Sequence, residues 1–319
     1  MITCYLQGGL GNQLFILFTT IAYALQNQQP VMFHYSEKLV HGYTVRYTYW
    51  HTFFSALKEL TTTKPIMNGL PIIKEHKEGK YIELDKIKVA SVNASAPVSA
   101  ILYGYFQSFK YFQDEYNEIS HLLGIDDMRN RYFNWFDKND MNPETTVSMH
   151  FRLGDYKKLN NVLSLEYYKK SLAYIIDQYT DNNKGLFIPP LTVLYFCEYE
   201  NLAEVNENIK ILQYVVQSEM TKNTSIQCKF RYCNLTSAES ATNAITTNAS
   251  SSNQNAILGL PEDEMIIMSN CKYNIIANST FSWWAAYIGD REDDNTHIVC
   301  YPDIKNEDLY PEKWTRISA

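Results

Sequence analysis

Three segments hold residues whose types and spacing could do chemistry. The first is MHFRLGDY, Met149 to Tyr156. Alternate side chains of a strand share a face, so Val147, Met149 and Phe151 are expected to face a core while His150 and Arg152 point the other way. Gly154 then turns the chain, and Asp155 follows at the carboxyl end of the strand, where open α/β sheets hold their ligands. A guanidinium offers a diphosphate a fixed fork of donors and keeps its charge, which lysine does not match. A donor of this kind, aimed at charge building on a leaving phosphate, typically contributes about 3–4 kcal/mol. Asp155 could orient Arg152 or accept a proton from an attacking hydroxyl, and His150 is the other candidate base. A surface Arg–Asp pair alone would contribute about 0–1 kcal/mol and no chemistry.

The second segment is GGLGNQLF, Gly8 to Phe15. Its glycines let backbone N–H groups approach an anion at the start of a helix, and the first turn carries Asn12 and Gln13 but no acid. Gly9 and Gly11 have the spacing of a dinucleotide fingerprint, but Leu14 stands at its third glycine position and no Walker lysine follows, so nicotinamide binding is a minor option. The third segment is NIIANSTFSWWAAYIGD, Asn274 to Asp290. A short strand runs through Asn278 into Ser279, Thr280, Phe281 and Ser282, with hydroxyls able to cap a helix that again lacks an acid in its first turn. Trp283 and Trp284, beside small alanines, read as packing against a sheet.

The elements that must position these groups alternate. Ile2–Leu6 reads as a strand and Asn12–Gln26 as a helix, followed by apolar segments at 31–35, 81–84 and 98–106 and a helical stretch at 109–123. Beyond them come strands at 146–151, 191–196, 209–216 and 274–277, with helices at 165–179, 262–270 and 279–288. Such alternation predicts an α/β chain with mainly parallel sheets, in two domains facing a cleft. The turn formers Asn139, Asp140, Asn142 and Pro143 place the boundary so that the domains run 1–140 and 141–319. Residues 219–255, rich in Ser, Thr and Asn, are expected to be a polar surface insertion.

The balance of 45% hydrophobic and 20% charged residues is that of a globular chain with a sizeable core. The net charge of -7, with no dense basic block, argues against nucleic acid as a partner. No basic region precedes an apolar leader and no apolar run reaches a membrane span, so a cytoplasmic location and no membrane span are expected. Six cysteines without paired CxxC spacing read as reduced structural thiols. No Asp-x-Asp-like pair ends a strand, and the acids at Asp126–Asp127, Glu262–Glu264 and Glu292–Asp294 look like solvated faces, so no metal and no cofactor are expected.

Together and in this order, GGLGNQLF, HFRLGDY and CKYNIIANSTFSWWAAY closely resemble glycosyltransferase family 11, the α-1,2-fucosyltransferases, and DLYPEKWTRI at Asp308–Ile317 resembles that family's ending. The resemblance implies a GT-B-like architecture of two Rossmann-like domains, the first on the acceptor side and the second binding the donor, GDP-β-L-fucose. It implies inversion at the anomeric carbon without a metal, and an acceptor glycan as the other substrate. By resemblance Arg152 contacts the β-phosphate, Gly9, Gly11, Asn12 and Gln13 line the donor cleft, and Asn278 to Ser282 meet the nucleotide. Two positions depart from the pattern: Phe196-Cys197-Glu198-Tyr199 stands where relatives carry a Phe-Ser-Asp-Asp-like strand end, and Glu264 where an aspartate is usual. Both glutamates are candidates for reading the nucleoside, with Glu198 a reserve base. A glycan-binding module without catalysis is the alternative from another class.

Overall fold

The computed structural model describes residues 1–41, 44–66, 69–76, 80–84, 99–184, 187–220, 226–235, 260–290, 296–304, 306 and 308–319. It is α/β and divides into two compact units, Met1–Met128 with Ile304–Lys313, and Arg129–Asp303 with Trp314–Ala319.

In the first unit, β1 (Ile2–Cys4) runs into the buried helix α1 (Leu10–Gln26). Short strands β2 (Phe33–His34), β3 (Lys38–His41), β4 (Thr44–Tyr47), β5 (Thr61–Thr62) and β6 (Ile72–Lys74) lead to β7 (Ala100–Tyr103) and helix α2 (Tyr116–Leu123). The sheet order β1-β7-β6 is parallel throughout, β2 pairs with β5 in parallel, and β3 and β4 form an antiparallel hairpin. The apolar segment Tyr81–Leu84 takes no regular structure, and the stretch read as one helix at 109–123 is a 3₁₀ turn at Phe109–Tyr111 followed by α2.

The second unit begins within α3 (Ile125–Arg131), followed by α4 (Phe133–Lys138), β8 (Thr146–His150), α5 (Leu165–Asn182), β9 (Leu191–Phe196), α6 (Leu202–Val215), β10 (Cys228–Tyr232), α7 (Pro261–Asn270), β11 (Tyr273–Ile275), α8 (Thr280–Gly289), β12 (Ile298–Pro302) and β13 (Thr315–Ile317). Its six strands are all parallel, in the order β10-β9-β8-β11-β12-β13. Successive strands step outward from β8 to β10 on one side and from β11 to β13 on the other. The order therefore reverses between β8 and β11, whose paired residues run from Val147↔Tyr273 to Met149↔Ile275. Apolar side chains of β8, β9 and α5 form the core, with Val147, Met149, Leu172, Ile175 and Val193 fully buried.

Three expectations change. The stretch 209–216 is helical, the end of α6 running on into a π-helical turn at Val216–Met220, because Val205, Ile209 and Leu212 are buried at helical spacing. Within 219–255, Cys228–Tyr232 is the edge strand β10, with alternating half-buried and exposed residues, rather than part of a polar insertion. Of that segment, 221–225 and 236–255 lie outside the described residues. The division between units falls at 128/129, not 140/141, because the turn formers tie into the second unit: Asn142 caps Glu144 N at 3.0 Å and Arg231 donates to the Asn139 carbonyl at 2.5 Å. Residues 304–313 return to the first unit.

All six cysteines are free thiols. No helix among the described residues is long and apolar enough to cross a membrane.

Candidate functional site at the sheet reversal

Open parallel sheets bind ligands outside the carboxyl ends of their strands, at the point where strand order reverses. In the second unit that point lies beyond β8 and β11, the strands that carry Arg152 and Asn278–Ser282.

Both faces of β8 are buried, so His150 does not face an open surface as the alternation had predicted; 7% of it is exposed. The Phe281 ring covers it, at 5.7 Å between centroids. Burial, reinforced by the charge of Arg152, pushes the imidazole pKa down to about 3. The ring is therefore neutral at physiological pH, and its Nδ1 has no hydrogen-bond partner.

Arg152 emerges just past the strand end. Its Nη1 donates to Glu198 Oε1 at 2.5 Å and its Nη2 to Asp155 Oδ1 at 2.6 Å. The Tyr156 ring lies under the guanidinium, 5.3 Å from its carbon. Gly154, at φ +21°, makes the cluster possible, since a Cβ there would meet Glu198 Oε2 at 2.2 Å. Asn201 Nδ2 donates to that same oxygen at 3.2 Å. One cation thus stands between carboxylates that follow β8 and β9. An incoming diphosphate can take over part of the fork, and the carboxylate it displaces becomes available to accept a proton.

The N-terminus of α8 adjoins this cluster. Ser279 is extended and its Oγ accepts from Phe281 N at 3.4 Å, while Ser282 Oγ accepts from Ala277 N at 3.1 Å. No acid lies in the first turn, so the positive end of the helix is left for an anion. Thr280 and Phe281 are half-buried there. Tyr156 Oη donates to the Asn278 carbonyl at 2.9 Å, and Asn278 Nδ2 donates to the Asn161 carbonyl at 2.8 Å. These bonds fasten the loop after β8 to the loop after β11, which brings Arg152 beside the helix end.

A buried polar chain that sequence reasoning missed supports the floor. Trp314 Nε1 donates to Asp290 Oδ2 at 2.7 Å, and the other Asp290 oxygen lies 3.4 Å from His297 Nδ1. His297 Nε2 meets Asn274 Oδ1 at 2.7 Å, and Asn274 Nδ2 donates to Ser148 Oγ at 2.5 Å. Trp283 and Trp284 are packing residues, as expected, with Trp283 stacked on Tyr287 at 4.6 Å. Gly289 lets α8 approach α7: a Cβ there would meet the Ser269 carbonyl at 2.5 Å.

The acids of α7 are not the solvated face expected of them. Glu262 is buried, and burial, with Asp263 adding to it, pushes Glu264 up to about 7. The Glu264 charge acts on Cys197, which follows β9, and on Tyr232 and Cys233 at the end of β10. Glu264 therefore also sits at the carboxyl edge of the sheet.

Gly9, Gly11, Asn12 and Gln13 belong to the first unit. Gly9 precedes α1 without a side-chain cap, and no acid lies in the first turn. Gln13 is buried, its Nε2 donating to the Gly8 and Tyr47 carbonyls at 2.9 and 2.8 Å, and Asn12 Oδ1 accepts from Gln107 Nε2 at 3.1 Å. Those two amides shape their own turn, which needs glycine at position 8, where φ is +75°.

Comparison with known proteins adds a family. The model described as Glycosyl transferase family 11 matches residues 238–318. An O-antigen biosynthesis glycosyltransferase of Escherichia coli, WbnK, is 27% identical over 154 residues, which cover 46% of this chain and 36% of that protein. An alpha-1,2-colitosyltransferase of Escherichia coli is 23% identical over 242 residues, covering 71% of this chain and 65% of that protein. The chain therefore spans less than two thirds of either relative. A solved structure of mutant Arabidopsis thaliana FUT1 in complex with GDP aligns with 90% of this chain and 68% of its own, at 14% identity and a TM-score of 0.43. A glycosyl transferase family 9 structure from Veillonella parvula aligns with 100% of this chain and 84% of its own, at 10% identity and a TM-score of 0.40. The stretch that is similar to glycosyl transferase family 11, residues 238–318, carries the Asn278–Ser282 helix end.

Proposed function

We propose that the chain is an inverting, metal-independent fucosyltransferase, moving L-fucose from GDP-β-L-fucose to a hydroxyl of an acceptor glycan and forming an α-1,2 linkage. The observation that carries this reading is the pairing of a guanidinium with an acid-free helix end at the reversal point of a parallel sheet. That pairing suits the diphosphate of a nucleotide sugar.

In this mechanism the acceptor oxygen attacks the anomeric carbon of fucose as the bond from that carbon to the β-phosphate oxygen breaks. Arg152 holds the charge that appears on GDP, and the backbone amides at Ser279–Ser282 hold the remaining phosphate charge. Asp155, half-exposed beside Arg152, takes the acceptor proton. His150, buried and neutral, positions Phe281 and the strand end rather than exchanging protons. Glu198, following β9, and Glu264, on α7 beside the end of β10, face the nucleoside. No metal is needed because fixed donors supply the positive charge.

The similarity to an α-1,2-colitosyltransferase over 71% of the chain favours a second reading of the donor alone, in which a colitosyl group takes the place of fucose. The test is a donor screen with GDP-fucose, GDP-mannose, UDP-sugars and a colitosyl donor in excess EDTA, followed by linkage analysis of the product. Transfer from GDP-fucose with an α-1,2 product is expected. GDP release that requires added metal, or none with any donor, would overturn the proposal.

A further inference from the structure

A cleft of about 930 Å³ is lined wholly by residues of the first unit, and none of the residues placed above in the transfer chemistry lines it. Its walls come from the end of α1, from Tyr81–Leu84, from Phe109–Glu115 and from Pro311–Lys313. In a parallel α/β unit a helix runs back from the carboxyl edge to the amino edge, so the last turn of α1, with Tyr23 and Gln26, marks the amino edge. The hydrogen bond of Ile2 N to the Pro30 carbonyl, just past that turn, places it beside the start of β1. Ligands of open α/β sheets bind at the opposite edge. The α1 wall of the cleft therefore lies at the edge opposite the one where such sheets bind their ligands.

The cleft is built firmly. Asp308 accepts from Lys110 Nζ at 2.6 Å and from Tyr81 N at 3.1 Å, its carbonyl accepts from Ser108 Oγ at 2.6 Å, and Tyr111 Oη accepts from Ile82 N at 3.2 Å. Three segments distant in sequence are thereby locked together, and a wall fixed in advance loses little freedom when a ligand arrives.

Its lining has a definite chemistry. The rings of Tyr81, Phe109 and Tyr111 supply apolar faces, with Tyr81 and Tyr111 edge to face at 4.9 Å. Glu83 and Asp114, both exposed, stand close enough to act on the Tyr81 hydroxyl. Four carboxylates line the cleft against two lysines, and one of the lysines, Lys110, is already paired with Asp308. An acidic lining repels phosphates and carboxylates. Ring faces beside carboxylate and amide acceptors match a sugar, whose C–H face packs on an aromatic ring while its hydroxyls donate outward.

We propose that this cleft is a second saccharide site, binding uncharged hexose units of a glycan outside the transfer centre. The ligand class rests on the glycan-acceptor reading of the proposed function; the geometry does not depend on it.

Saturation-transfer-difference NMR on the full chain tests the proposal, with lactose as probe, glucose 6-phosphate as charged control and trilysine as peptide control. Lactose should show transfer, and Tyr81→Ala or the double variant Glu83→Lys/Asp114→Lys should weaken it about tenfold, the loss of roughly one good contact. The double variant changes only exposed side chains, so it carries the test if Tyr81→Ala does not fold. Arg152→Ala should leave lactose binding intact, which separates failure of this site from failure of the transfer mechanism. Lactose signals unchanged in both variants, or lost in Arg152→Ala, would overturn the proposal. Equal binding of glucose 6-phosphate would also overturn it, and trilysine binding in place of lactose would mark an acidic peptide groove instead.

Discussion

Replacing Glu264 by glutamine should stabilise the second unit at high pH and not at low pH. Burial holds its carboxyl at about 7 in the folded chain, against 4.5 for an exposed glutamate. A raised folded pKa means that the folded chain binds the proton more tightly than the unfolded one. The stability it contributes is full below pH 4.5 and is lost as pH rises through 7. With each pKa unit equivalent to about 1.4 kcal/mol, the whole shift corresponds to at most about 3.4 kcal/mol. Glu264 is half-buried, so about 1–3 kcal/mol is the working figure after allowing for solvent screening. At about 2–4 °C per kcal/mol for a unit of this size, Glu264→Gln should melt several degrees higher than the parent at pH 8 and within a degree or so of it at pH 4.5. Differential scanning calorimetry at pH 4.5, 6 and 8 without nucleotide reads this directly. An equal gain at all three values, or none at pH 8, would refute the burial argument. A nucleotide that prefers the ionised carboxylate should also bind more tightly as pH rises toward 7 and level off above it.

His150 has the opposite sign: its folded pKa of about 3 lies below the ordinary 6.5, so stability is full above pH 6.5 and falls by about 1.4 kcal/mol per unit as the medium becomes more acid. His150→Phe should therefore flatten the melting temperature between pH 6.5 and 4.5, measured by thermal unfolding across that range. Trp314→Phe removes the indole donor from Asp290 Oδ2 and should cost about 1–3 kcal/mol in urea unfolding. Gly289→Ala forces a methyl group to 2.5 Å from a backbone carbonyl and should cost about 1–3 kcal/mol in the same assay, with α7 and α8 pushed apart.

The strand–turn–helix starts at Ile2 and the strands around Thr146 and Leu191 were legible because their apolar runs are short and flanked by turn formers. The 209–216 stretch was not, since β-branched Ile209, Ile211, Val215 and Val216 imitate a strand, while burial at 205, 209 and 212 decides for helix. Edge strand β10 was hidden because an edge needs only alternate apolar residues, and Lys229 and Arg231 dilute the signal. At the site, Arg152, Asp155 and Ser279 could be picked by residue type and position at element ends. The burial of His150 and the rise at Glu264 could not, because both are set by Phe281 and α7 packing from far along the chain. The sequence contained Asn274, Asp290, His297 and Trp314 as unconnected polar or aromatic positions, and only the fold links them.

The most direct test of the central claim is GDP formation from GDP-fucose and an acceptor glycan in excess EDTA, comparing the parent with Arg152→Ala while circular dichroism confirms the fold. If the Arg152 guanidinium stabilises the leaving diphosphate, the variant loses at least about a hundredfold in kcat. Turnover within a fewfold of the parent would contradict it.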